Sequence, residues 1–179
     1  MTTTNSKPNS SSSANAGMTM SPEARAKMRN TEKAVLKYYN DLGRNKGNCT
    51  WGIGFYHHRG VCTPEELKRK VDAASIDIEY NKRIAEAERR VKLKVQVPLN
   101  QAQFDGLVSF TYNTKNVTNQ EVYSALNRND FATAAKIMSG VIKSDVDGKL
   151  KMAPGLITRR AEESAPFRNA AEISRQESK

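Results

Sequence analysis

Between Cys49 and Cys62 the chain changes character, and that change limits what it can fold into. The run Thr50-Trp51-Gly52-Ile53-Gly54-Phe55-Tyr56 is rich in aromatic and β-branched residues, and His58-Arg59-Gly60 supplies turn chemistry after it. Such a pattern predicts a short β-hairpin or small sheet, with Gly52 and Gly54 allowing close backbone approach. Most of the rest reads as helix. Ser21-Pro22-Glu23 places a capping hydroxyl before a proline and an acid in the first turn, which predicts a helix running toward Thr31-Glu32. Thr63-Pro64-Glu65-Glu66 repeats that signal and opens a long helix to about Lys92, with a break near Ser75 to Ile78. Further helices are predicted over Asn100–Asn113, Asn119–Leu126, Phe131–Val141 and from Gly155 to about Asn169. The fold class is therefore α+β, a small β-hairpin subdomain joined to a mainly helical body.

A length of 179 residues suits one core plus a tail. Residues 1–19 are dominated by Ser, Thr and Asn and are expected to form a disordered tail, leaving 20–179 as the folded domain. No apolar run approaches the roughly 20 residues that span a bilayer, and the polar N-terminus lacks the apolar core of a secretory signal, so stable membrane insertion is not expected. Lys and Arg number 29 against 19 acids, a net charge of +10. That excess calls for a polyanionic partner: nucleic acid, an anionic lipid surface or an anionic cell wall. Runs such as Lys68-Arg69-Lys70 and Glu88-Arg89-Arg90 lie among acids along a helix, with no nucleic-acid-reading motif beside them. Nucleic acid is accordingly not expected as a partner.

Cys49 and Cys62 fit either a disulfide closing the hairpin in an oxidising compartment or two buried thiols in a reducing one. No cofactor and no metal are expected. The two cysteines with His57 and His58 lack C-x-x-C or H-x3-H spacing, and adjacent histidines in a strand point to opposite faces.

Hydrolysis of a glycosidic bond commonly uses two carboxyl groups flanking the scissile oxygen, one donating a proton and the other activating water or attacking carbon. Glu32 at a helix end, Asp41 in the following turn and Thr50 on the next strand offer such a set. Such an arrangement is common by chance, and spacing alone favours reading the two as solvated surface acids.

The context is more specific. Glu32-Lys-Ala-Val-Leu-Lys-Tyr-Tyr-Asn-Asp41 followed by Thr50-Trp-Gly-Ile-Gly54 resembles the E-x8-D and T-x-G-x-G signature of the phage-type lysozymes, glycoside hydrolase family 24. The helix Val97-Pro-Leu-Asn-Gln-Ala-Gln-Phe104-Asp-Gly-Leu-Val-Ser-Phe110-Thr-Tyr-Asn113 is similar to the "VPLxxxQFDALVSFxxN" helix of that family. Gly155-Leu-Ile-Thr-Arg159-Arg160-Ala-Glu-Glu163 is similar to its "GLxxRRxxE" helix. The three motifs occur in the family's order across roughly Met28 to Phe167.

The resemblance implies a lysozyme-like fold and an N-acetylmuramidase that cleaves the β-1,4 bond between N-acetylmuramic acid and N-acetylglucosamine in peptidoglycan. Carried over residue by residue, Glu32 is the general acid, Asp41 the carboxylate on the opposite face and Thr50 the hydroxyl that positions water. Inversion is the family expectation, with carboxyls about 6.5 to 9.5 Å apart. A proton donor favours partial burial and its ionised partner a wetter setting. Arg159 or Arg160 is expected to hydrogen-bond Glu32 and fix its rotamer. Tyr39, Phe110 and Asn113 are candidate substrate contacts, against core packing for the two aromatics and helix capping for Asn113.

Three positions depart from the family. The interval from Asp41 to Thr50 is longer, Phe55 stands where histidine is common, and Thr114 replaces a glycine. A lytic transglycosylase and a non-catalytic wall-binding or nucleic-acid-binding module are the alternative functions. A monomer acting on peptidoglycan in the periplasm is expected. Lacking a signal peptide, it would be made in the cytoplasm and delivered through a holin pore or by a contact-dependent secretion machine, the latter with an immunity protein as partner.

Overall fold

A computed structural model describes residues 13–146 and 149–177. Helix α1 (Pro22–Thr31) starts as its sequence requires, with Ser21 Oγ accepting from the Ala24 N–H and Pro22 at the first position. It stops at Glu32, whose backbone is extended. The chain then enters an antiparallel sheet in the order β1 (Val35–Asn40), β2 (Cys49–Gly52), β3 (Phe55–His58). The predicted hairpin is thus one strand larger, because the apolar run before Asp41 pairs as β1, with Tyr39 opposite Thr50 and Asn40 opposite Cys49. Cys49 and Cys62 are bonded, tying the start of β2 to the chain beyond β3. A crosslink closing a loop of this size contributes about 3 kcal/mol by constraining the unfolded chain.

Helix α2 (Pro64–Lys68) carries a full capping box between Thr63 and Glu66 and ends early. The long helix expected from Pro64 breaks at 69–72, ahead of the predicted position. There Lys70 bridges Lys37, the Val71 N–H donates to Leu36 O at 3.0 Å, and Asp72 caps a new helix by accepting from the Ser75 N–H at 2.6 Å. Helix α3 (Ala73–Lys94) is the spine joining sheet to body, with Ile76, Tyr80, Ile84, Ala87 and Val91 buried at helical spacing.

That stripe packs on α4 (Gln101–Asn113), through Phe104, Leu107, Val108 and Phe110, all fully buried. Burying each such side chain is worth about 1.5–3 kcal/mol. The helices α5 (Asn116–Asn127) and α6 (Phe131–Gly140) follow, then a two-stranded hairpin, β4 (Lys143–Val146) with β5 (Lys149–Met152), and α7 (Pro154–Glu177). The β4–β5 hairpin is not among the predicted elements, and α7 runs beyond its predicted end. Helix α7 lies so close to α4 that a Cβ on Gly106 would stand 2.6 Å from Glu163 O. Among the described residues no helix is long and apolar enough to cross a membrane.

Residues 1–12 of the expected disordered tail lie outside the described residues. Residues 13–19 depart from that expectation, because Asn15 is fully buried. Its Nδ2 donates to Val95 O at 3.0 Å and Val97 O at 2.9 Å, and its Oδ1 accepts from the Leu99 N–H at 2.9 Å. A polar side chain that satisfies three backbone groups between α3 and α4 is reason enough for the backbone to be held there.

Candidate active site

Glu32 sits where α1 gives way to the sheet, its side chain 20% exposed. On one side it borders a polar cavity of about 360 Å³ formed by Ile53 and Gly54 of the β2–β3 turn, Arg83 and Arg90 of α3, and Tyr112 at the end of α4. On the other side an apolar groove of about 740 Å³ runs between α1, α4 and α7. Polar chemistry belongs to the smaller cavity, which lies between the sheet and the helical body and is lined chiefly by polar groups, Arg83 and Arg90 facing Glu32 and Glu86.

Of the two arginines proposed to hold the acid, the structure selects Arg159. Its Nη1 donates to Glu32 Oε1 at 3.2 Å and its Nε to Glu163 Oε1 at 3.1 Å. Arg159 Nη2 is buried and has no hydrogen-bond partner among the described residues. Arg160 does not reach Glu32. It is 1% exposed, donates to Glu163, Asn113 Oδ1 and Val141 O, and stacks its guanidinium over Phe110 with 5.0 Å to the ring centroid. Burial pushes the Arg160 guanidinium below its ordinary value, and Glu163 opposes that shift. Ser109 adds a hydroxyl to Glu163 Oε1 at 2.5 Å. Glu163 thus anchors both arginines, a role sequence reading did not assign although Glu163 closes the matching motif.

Asp41 lies at the end of β1 and is exposed. The loop that follows curls back on it: Asn48 donates its N–H to Asp41 Oδ1 at 2.8 Å and its Nδ2 to Oδ2 at 3.3 Å, while the Asp41 N–H donates to Asn48 O. The longer interval before Thr50 is therefore remodelled into a clasp that orients this carboxylate. Thr50 is buried, its hydroxyl donating to Asn48 O at 3.4 Å, so Asn48 links the two. Neither Asp41 nor Thr50 is among the residues lining the cavity bordered by Glu32.

Tyr39 feels the charge of both carboxylates. Its hydroxyl is pushed up from its ordinary value first by burial, with the charges of Asp41 and Glu32 adding and a backbone hydrogen bond from Gly54 opposing. Two tyrosines that sequence reading passed over also feel Glu32. Tyr112 and Tyr80 are each pushed up to about 12, mainly by burial and also by that carboxylate. Their rings meet edge to face at 5.8 Å. Phe110 is corrected: it is fully buried in the core under Arg160 and cannot contact substrate. Asn113 borders the cavity and accepts from Arg160 rather than capping by itself. Trp51 packs edge to face on Phe55 at 4.9 Å.

Residues 29–163 match the family model described as phage lysozyme. An endolysin of Acyrthosiphon pisum secondary endosymbiont phage 1 is 27% identical over 141 residues, covering 76% of this chain and 94% of that protein. Among solved structures, an endolysin from Escherichia coli O157:H7 phage FAHEc1 superposes with a TM-score of 0.66 at 24% identity, covering 86% of this chain and 96% of the other. The muramidase domain of SpmX from Asticaccaulis excentricus gives 0.63 at 23% identity, covering 83% and 96%. These structural likenesses bear out the lysozyme-like α+β fold.

Proposed function

The chain belongs to the phage lysozyme family, a lysozyme-type peptidoglycan hydrolase, and from that premise we propose that it cuts the β-1,4 bond between N-acetylmuramic acid and N-acetylglucosamine with inversion. Glu32 gives its proton to the glycosidic oxygen as the bond to the anomeric carbon breaks. Asp41 takes a proton from a water that attacks the opposite face, and Thr50 helps position that water. Each turnover leaves Glu32 ionised and Asp41 protonated, and solvent exchange resets both. Arg159 supplies countercharge at Glu32 as its proton leaves.

The observation that carries this reading is Glu32 itself, a partly buried carboxylate held by an arginine at the edge of a polar cavity between sheet and body. Exposed Asp41, clasped by Asn48, suits the ionised role. The net charge of +10 favours approach to an anionic wall, with attraction falling as salt screens it over about 8–10 Å. The place of action is the peptidoglycan layer on the periplasmic side, a destination that suits the Cys49–Cys62 bond.

Digestion of purified peptidoglycan followed by mass spectrometry tests the reaction. Reducing N-acetylmuramic acid ends are expected, and anhydromuramic ends would make the chain a transglycosylase instead. The Glu32→Gln variant is expected to keep its fold and lose at least a thousandfold in turnover. Wild-type turnover in that variant would remove Glu32 from the acid role.

A further inference from the structure

The polar cavity beside Glu32 holds more positive charge than the cleavage of a sugar bond calls for. Arg83, Glu86, Ala87 and Arg90 all line it, at the i, i+3, i+4 and i+7 spacing that puts residues on one face of α3. The two arginines stand two turns apart, about 10 Å along the helix, with Glu86 between them. Glu32 is the other acid on the wall. When Glu32 carries the proton it is to donate, one carboxylate faces two guanidiniums.

The protein leaves both arginines with donors to spare. Arg83 is held in place, its Nε donating to Glu79 Oε1 at 2.8 Å and its guanidinium lying over the Phe55 ring, 4.6 Å from the centroid. Its terminal nitrogens make no hydrogen bond among the described residues, so a fork that suits a carboxylate is fixed and open. Arg90 is exposed and makes no hydrogen bond or ion pair among the described residues. Glu86 is exposed as well and pairs with neither. The Tyr112 hydroxyl, pushed up first by burial and then by Glu32, is drawn back by Arg83, so acid and guanidinium act across the same cavity.

The reaction beside them makes this placement costly. Breaking a glycosidic bond builds positive charge on the sugar ring, and a nearby cation opposes that build-up. Extra cations in such a cavity are tolerable where the substrate brings anions of its own. Neutral N-acetylated glycan brings only hydroxyls and amides. The peptide stems carried by N-acetylmuramic acid bring free carboxylates, and a planar guanidinium takes a carboxylate through two parallel N–H donors.

We propose that Arg83 and Arg90 are substrate-binding residues that grip free carboxylates of the peptide stem, making the chain selective for peptide-bearing glycan whose acids are not amidated. This rests on the glycosidase reading above and adds the part of the substrate that is recognised.

The test uses the full chain and two preparations of one peptidoglycan, native and with its free carboxyls converted to carboxamides by carbodiimide and ammonia. Reducing-end release is followed at about 0.15 M salt, where attraction beyond about 8 Å is screened. Wild type is expected to lose at least tenfold in kcat/KM on the amidated preparation, chiefly through KM. Arg83→Gln/Arg90→Gln is expected to show a raised KM on native peptidoglycan and to cut both preparations alike. Should loss of the Glu79 and Phe55 contacts unfold it, Arg90→Gln decides alone, with at least threefold of the discrimination lost. Lys136→Gln/Arg175→Gln removes the same charge from a separate hollow between α6 and α7 and is expected to discriminate as wild type does. Wild type that cuts both preparations equally would overturn the proposal, as would a remote variant that loses as much discrimination as the cavity variant. Wild type that releases no reducing ends from either preparation would bring down the glycosidase reading, and this proposal with it.

Discussion

Arg159 Nη1 stands 3.2 Å from Glu32 Oε1 and so joins α7 to the end of α1 across 127 residues of chain. The same guanidinium is held from behind by Glu163. The rotamer of the acid therefore depends on where α7 sits, and α7 sits where Gly106 lets it approach α4.

Replacing Arg159 with Gln should consequently act on turnover more than on stability. The pair with Glu32 is partly exposed, 17% and 20%, and Glu163 keeps Arg160 and Ser109 as partners when Arg159 is replaced, so no buried charge is left uncompensated and the loss of folding free energy is modest. A tenfold or greater fall in kcat corresponds to about 1.4 kcal/mol of transition-state stabilisation. Lysis kinetics beside a thermal melt checks this. Unchanged kcat with a lowered Tm would make Arg159 a structural residue only.

Arg160 and Glu163 should behave in the opposite way. Both are nearly fully buried, at 1% and 5% exposure, and each satisfies the other together with Asn113, Ser109 and Val141 O. Removing one partner leaves an uncompensated buried charge, a loss of about 3–5 kcal/mol. Arg160→Met alone should therefore be strongly destabilised in urea. The double variant Arg160→Met/Glu163→Leu should recover part of that loss, although Arg159 then lacks its support. A double variant no better than the sum of the singles would refute the pairing account.

Local chemistry was legible, and choices that need tertiary placement were not. The caps at Ser21 and Thr63 were readable because each lies within a few residues of the groups it satisfies, and the helix predicted from Asn100 starts one residue later with Asn100 as its cap. The break before α3 was misplaced because it depends on Lys70 meeting Lys37 in β1, a contact between segments far apart in sequence. The β4–β5 hairpin escaped notice because β5 is exposed throughout and has no buried face to set a period of two. The dipeptide Asp147-Gly148 between its strands was the available turn signal. At the site, motif spacing identified Glu32, Asp41 and Thr50 as candidates, but it could not choose between Arg159 and Arg160. Neighbours on a helix project about 100° apart, and only the packing of α7 decides which of them faces the acid.

The tyrosines around Glu32 make stability sensitive to alkaline pH. Tyr80 and Tyr112 are each pushed up to about 12 in the folded protein, against an ordinary value of about 10 in the unfolded chain. A raised phenol favours the fold while both states are protonated. That contribution is present below pH of about 10 and is lost as pH rises toward about 12, because the unfolded chain ionises first. Urea melts between these limits should show falling stability, with a shallower fall in Tyr112→Phe. Phenolate absorbance should rise at lower pH in Glu32→Gln than in wild type, since one negative charge beside both rings is gone. Identical phenolate titrations would separate these rings from the acid.

Gly47 decides whether the clasp around Asp41 can close. Its φ is +87°, a left-handed conformation that side chains rarely adopt, and a Cβ there would collide with Asp41 Oδ1 and lie 2.8 Å from the Leu42 backbone nitrogen. Neither obstacle is a flexible chain end that can swing aside: the carboxylate is held by Asn48 and the nitrogen belongs to the loop. Gly47→Ala must therefore push Asp41 out of its Asn48 contacts or open the loop. Both outcomes displace the carboxylate proposed to activate water, where an error of about 1 Å can cost on the order of a hundredfold in rate. The loop lies at the surface and carries little of the core, so the melting temperature should fall only slightly. Peptidoglycan turnover by Gly47→Ala should then approach that of Asp41→Asn while the two variants keep near-native far-ultraviolet circular dichroism. If Gly47→Ala retains wild-type turnover, the clasp does not position Asp41 for the reaction.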